Sequence, residues 1–238
     1  MSLSNPRQVN PAKKFIDWSG SKGKFKYFDK TRGEKGEDVY FDNSIYIIPL
    51  DKLNTIRGYH DQSKSGIFSN EVKNLSKEKL IVRSFKGGII ASGLYAEIKG
   101  KLEGGKFSNS IYAAMITVSK DDVTLELVNL QFYGSAIGSL IDARVNVDSG
   151  EVISLSPSTE KLTKGNTEYF APVIKKHGKR EDILAKCIEM DRELQNYLKT
   201  YFEKPVEEED AELNADVKSE AVSITNEPEP IGEDDLPF

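Results

Sequence analysis

The stretch Ile111-Tyr112-Ala113-Ala114-Met115-Ile116-Thr117-Val118, apolar and partly β-branched, reads as a strand. Before it, Gly100 to Gly105 forms a polar turn, and before that Leu94, Ala96 and Ile98 alternate with Tyr95, Glu97 and Lys99. The spacing predicts a hairpin of 94–99 with 111–118. Gly100 to Lys106 also has the spacing of a phosphate-binding loop, but Phe107 replaces the hydroxyl residue such loops need, and strand pattern follows instead of helix. A hairpin turn is the simpler reading.

Working outward, Lys24 to Tyr27, Ile45 to Leu50 and Leu80 to Phe85 are further strand signals, with a turn at Gly87-Gly88. Val123 to Phe132 supplies another strand, and Gly134 to Leu140 one or two turns of helix. Ala143 to Val147 with Glu151 to Leu155 predicts a second hairpin around Asp148-Ser149-Gly150. Only one segment has strong helical period: Ile183, Cys187, Met190, Leu194, Tyr197 and Tyr201 form one stripe, ended by Pro205. The expected organisation is an irregular arm at 1–11 and a folded domain at 12–204 with a helix about 181–203. A disordered acidic tail at 206–238 completes it. The expected class is mainly β, an OB-like small barrel with a C-terminal α-helix.

Charge divides the same way. The net charge of −5 averages a basic half, net +8 over residues 1–110, and an acidic end, net −11 over 206–238. A folded part that meets a polyanion while its tail stays free has this asymmetry. One cysteine, Cys187, excludes an intramolecular disulfide, and neither His60 nor His177 has partners at zinc-ligand spacing. Cys187 lies on the apolar stripe and is expected in the core. Asp121-Asp122 and Asp234-Asp235 are paired acids without a metal-ligand pattern. No cofactor and no catalytic residue are expected. A polar N-terminus and the lack of a long apolar run point to a cytoplasmic protein without a membrane partner.

The chain ends Glu233-Asp234-Asp235-Leu236-Pro237-Phe238, an apolar tip on an acidic segment. Acidic residues can steer such a tip to a basic pocket that Phe238 fills, although a solubilising tail would look much the same. Asp234 to Phe238 resembles the acidic tip of bacterial and phage single-stranded-DNA-binding proteins, the phage replication proteins of that class in particular. The resemblance implies an OB-fold body that binds single-stranded DNA during replication, recombination or repair. It also implies recruitment of replication and recombination enzymes through these five residues, with homo-oligomers allowed. The rival from another class is a non-enzymatic β-rich adaptor that binds proteins and no nucleic acid.

Binding single strands without reading sequence needs cations for phosphates and aromatic faces for bases. Candidates in the first third are Trp18, Lys22, Lys24, Lys26 and Tyr27, then Lys30 and Arg32 in a glycine-containing loop. On a strand Phe25 and Tyr27 oppose Lys24 and Lys26, so either set faces the DNA and the other the core. Arg57 and Tyr59, then Lys64 and Phe68, pair cations with aromatics in loop-like surroundings. Arg83 and Lys86 flank Phe85, and Tyr95 shares a predicted face with Lys99. The cluster Lys175 to Arg180 is a solvated loop or a phosphate contact near the start of the helix. A tail of net −11 is expected to compete with DNA for the basic body.

Overall fold

Strand alternation puts two different layers on the two faces of one large sheet. The computed structural model describes residues 9–120 and 122–203. Its strands are β1 (Lys14–Ser19), β2 (Lys24–Asp29), β3 (Glu37–Tyr40), β4 (Ile45–His60), β5 (Ser65–Ser69), β6 (Leu80–Ser84), β7 (Ile89–Gly93), β8 (Gly105–Ser119), β9 (Asp122–Phe132), β10 (Glu151–Ser156), β11 (Lys161–Lys164), β12 (Thr167–Phe170) and β13 (Val173–Lys179). The helices are α1 (Tyr95–Ile98), α2 (Ser135–Asp142) and α3 (Glu181–Glu203). The protein is mainly β with a C-terminal helix. The expected tail at 206–238, its tip Asp234 to Phe238 and most of the expected arm lie outside the described residues.

The main sheet runs β3-β2-β1-β9-β8-β4-β5-β6-β7. The 16-residue β4 pairs along nearly its whole length with β8, while its first part also holds β10 and its last part β5. The inner face carries Ile111, Ala113 and Met115 of β8, which pack with Trp18, Phe25, Val128, Leu130 and Ile153. A second inner cluster joins Ile56, Ile67, Val82 and Ile98 under β4 to β7. The sheet does not close by strand pairing among the described residues, so it is barrel-like only loosely. Backbone bonds tie the β1–β2 turn to the segments around β10 and β12: Phe170 N–H donates to Gly20 O (2.8 Å) and Ser158 N–H to Gly23 O (3.0 Å). Gly23 has φ +65°, and a Cβ there would lie 2.3 Å from Ser158 O, so only glycine permits this approach.

The outer face carries the alternate residues, and α3 covers much of it. Ile183 and Cys187 pack on Ile48, Ala114 and Ile116; Leu194 and Leu198 pack on Leu53, Tyr112 and Leu127. Each leucine or isoleucine among them, once buried, contributes roughly 1.5–3 kcal/mol. The helix therefore runs in the same direction as β4. Glu181 and Asp182 in its first turn complement the helix dipole.

Several sequence expectations need correction. Residues 94–99 are not a strand: Gly93 ends β7, and Glu97 Oε2 accepts from Leu94 N–H (2.9 Å), starting the helical turn α1. The partners of β8 are β4 and β9, so the predicted hairpin with 94–99 does not exist. Residues 143–147 form no strand either. Asn146 Oδ1 accepts from Asp148 N–H (3.1 Å) and caps a 3₁₀ turn, leaving β10 to pair with β4 and β13. Arg57 to His60 and Ser65 to Phe68 belong to strands β4 and β5, not loops, and Lys175 to Lys179 belongs to β13.

Candidate nucleic-acid interface

Four strands bring cations and an aromatic ring into one cross-strand row on the outer face. Lys106 of β8 stands opposite Arg57 of β4, Arg57 opposite Phe68 of β5, and Phe68 opposite Arg83 of β6. Directly paired residues share a face, with Cβ atoms about 4.5–5.5 Å apart. Tyr59 lies two residues beyond Arg57 on that face, opposite Gly66, which has no side chain to crowd it. At the neighbouring turn tips, Lys86 Nζ donates to the Lys64 carbonyl (2.6 Å).

Burial sorts the aromatics of this row. Phe68 is 3% exposed and lies against Phe85, ring centroids 5.1 Å apart and nearly parallel at 18°. Phe68 thus supports a ring instead of offering one, which corrects its expected role as an exposed stacking face. Phe85 and Tyr59, both half-buried, present the aromatic faces. Arg83 is only 8% exposed, so Arg57, Lys64, Lys86 and Lys106 offer more accessible charge.

Next to Arg57 the outer face holds a buried polar layer. Glu71 accepts hydrogen bonds from Ser110 Oγ and from Tyr112 OH (2.9 Å), and Tyr112 OH accepts from Asn10 Nδ2 (3.1 Å). Ser110 Oγ in turn accepts from Asn129 Nδ2 (2.7 Å) and Gln131 Nε2 (3.1 Å). Burial pushes the Glu71 carboxyl up, and the Ser110 and Tyr112 bonds and the Arg57 charge only partly offset it. Burial and the neighbouring Glu71 carboxylate also raise the Tyr112 phenol well above its ordinary value. The Glu71 N–H donates to Tyr201 OH (2.8 Å), tying the end of α3 to this layer.

The first group of candidates lies elsewhere. Three strands separate β2 from β4, about 19 Å at 4.8 Å per strand spacing. Trp18 is 3% exposed, meets Phe25 edge-on (4.9 Å) and donates from Nε1 to Phe170 O (3.0 Å). It is a core residue, and its expected role as a stacking platform is withdrawn. Tyr27 packs against this core beside Phe41. The open choice on β2 is thereby decided: aromatics face inward and Lys24 and Lys26 outward.

Those outward lysines meet the chain's own acids. Lys26 pairs with Asp38 (3.0 Å) and Lys24 with Asp42 (2.7 Å), while Lys22 donates to Tyr40 OH (3.0 Å) and sits over its ring. Burial works against the charge on Lys26, but the Asp17 and Asp38 carboxylates outweigh it and hold the ammonium above its ordinary value. In the β2–β3 turn Lys30 is exposed, and Arg32 lies 3.5 Å from Asp29. Tyr95 sits on α1 against Phe107 and the second inner cluster, on the opposite face from Arg57. It is not part of the row.

Structure thus gathers Arg57, Tyr59, Lys64, Phe68, Arg83 and Lys86 and adds Lys106 and Phe85. Lys106 was visible only as the end of a failed phosphate-loop pattern; the β4–β8 register is what places it. Comparison with family models, curated proteins and solved structures finds no match for this chain.

Proposed function

We propose that this protein binds single-stranded DNA without sequence preference, with Arg57, Lys64, Lys86 and Lys106 on phosphates, Tyr59 and Phe85 as its stacking rings, and the buried Phe68 and Arg83 of the same row supporting them. The row is the observation that carries the reading. Cations flank aromatic faces on one side of a sheet, the combination that holds phosphates and stacks any base. The helices support the same reading: α3 spends its apolar stripe on the sheet and is not free to enter a duplex groove. Binding of this kind involves no chemical step and no cofactor.

The acidic tail then recruits replication, recombination or repair enzymes through Asp234, Asp235, Leu236, Pro237 and Phe238, as the resemblance implies. Its point of departure favours competition with DNA. Helix α3 ends with Tyr201 bound to Glu71 and Phe202 beneath Lys73 Nζ, 5.2 Å from the ring centroid, in the segment that neighbours Arg57. A cytoplasmic setting follows from this function. Among the described residues no helix is long and apolar enough to cross a membrane.

The test is anisotropy of a labelled poly-thymidine strand titrated with the full chain at several salt concentrations, with duplex as control. Trp18, the only tryptophan, is buried, so a label on the DNA is the better reporter. Tight binding to single strands that weakens with salt, log–log slope about 0.7 per phosphate contacted, supports the reading. Failure to bind at low salt, with and without residues 206–238, sinks it and leaves the protein-binding adaptor.

A further inference from the structure

A second set of cations with an aromatic ring lies at the other end of the sheet, around the edge strand β13. Tyr46, near the start of β4, is 45% exposed. It stands opposite Ser154 of β10, which stands opposite Lys175 of β13, so the three share a face. His177 Nε2 lies 2.8 Å from Ser154 Oγ, and its ring centroid is 6.0 Å from that of Tyr46. Lys176, opposite Ile153, and Lys179, opposite Glu151, project from the other face of the same edge strand and are exposed. Among the described residues β13 pairs only with β10, which leaves its other edge open.

Lysines on an open edge have a general explanation, since they discourage edge-to-edge pairing. Two observations exceed it. A gatekeeping edge needs charge and does not need a half-exposed tyrosine beside the charge. Lys14, Lys24, Lys26 and Lys161 each meet a carboxylate, whereas Lys175, Lys176 and Lys179 make no ion pair among the described residues.

We infer that Tyr46 and the β13 lysines are a second contact for the same DNA strand, which crosses the open edge of β13 with Tyr46 against a base, Lys175 on a phosphate from the same face, and Lys176 and Lys179 on phosphates from the other. This rests on the single-strand reading above. Tyr46 and Arg57 are eleven residues apart on β4, about 36 Å at 3.3 Å per residue, and α3 lies along the face between them. A strand stacked at about 3.4 Å per nucleotide needs about a dozen nucleotides to reach both sites. A short oligomer fills one site; a long one engages both.

The experiment compares thymidine oligomers of about five and about twenty nucleotides, within and beyond the range one such domain holds. Both are titrated with the full native chain and with a variant carrying Tyr46→Ala, Lys175→Ala, Lys176→Ala and Lys179→Ala. The variant is expected to bind the short oligomer as the native chain does and to lose about tenfold or more on the long one. Its salt slope on the long oligomer should fall by about 2, at 0.7 per phosphate for three lysines. A second variant, Lys175→Arg, Lys176→Arg and Lys179→Arg, keeps the charge and should keep the native length preference, separating phosphate contact from damage to the fold. A variant that matches the native chain on both lengths overturns the second contact and leaves the first standing. So does a native chain that gains nothing from length. Unchanged binding on both lengths with loss of competition by the acidic tail would give the patch to the tail and overturn the proposal. If the native chain binds neither oligomer, the single-strand reading itself has failed.

Discussion

Strands β1 to β3 and strands β4 to β6 carry similar residues and use them in opposite ways. In the first group Trp18, Phe25 and Tyr27 turn inward to the core, while Lys24 and Lys26 turn outward to Asp42 and Asp38. In the second, register puts Arg57, Phe68 and Arg83 on one face, with Phe85 over Phe68 and Lys106 beside Arg57. Interleaved cations and aromatics are therefore ambiguous within a single strand, because alternation separates them. They converge only when neighbouring strands supply the cation and the ring at the same register.

The largest expected effect breaks the first region without touching the second. Trp18→Ala should cost about 3–5 kcal/mol in stability by leaving a cavity, read from chemical denaturation. DNA affinity of the remaining folded protein should not change. A selective loss of affinity at native stability would overturn the core assignment of Trp18.

Next comes the polar layer beside the row. Glu71→Ala removes two hydrogen bonds to a carboxylate, each worth roughly 1.5–3 kcal/mol, and should loosen the end of α3, visible as faster amide exchange around Tyr201. The carboxyl is raised in the folded state, so between its unfolded and folded values the native protein binds more protons than the unfolded chain. Its contribution is fully present below about pH 4.3, the ordinary glutamate value, and is lost as pH rises through the raised folded one. Stability of the native chain measured against Glu71→Gln should fall over that window. A flat difference would mean that Glu71 is not held as described.

Smaller effects sharpen the comparison through DNA. Tyr59→Ala and Phe85→Ala should each weaken single-strand binding by about 1–3 kcal/mol, the worth of one stacked base, with little change in salt slope. Arg57→Ala should instead lower the slope by about 0.7 if it contacts one phosphate. Smallest of all, Lys24→Met should leave affinity and slope unchanged, since its charge is met by Asp42. A clear effect there would return β2 to the interface.

Much of the secondary structure was legible because it depends on local pattern. The stripe from Ile183 to Tyr201 produces α3, and the apolar run from Ile111 to Val118 lies within β8. Errors arose where local pattern was short: Leu94, Ala96 and Ile98 fit a strand, but Glu97 caps a helical turn after Gly93. Arg57 to His60 looked like a loop because a glycine and polar residues interrupt it, yet pairing with both β5 and β8 holds it extended.

By itself the sequence determined the mainly β composition, the terminal helix, the charge split and the acidic tip, all properties of residues close together along the chain. Only the tertiary structure decided that Trp18 is core, that Lys26 is neutralised by Asp38, and that Lys106 joins Arg57 across 49 residues. The physical reason is that exposure and charge compensation belong to pairs of surfaces, and strand register, set over the whole sheet, chooses which surfaces meet.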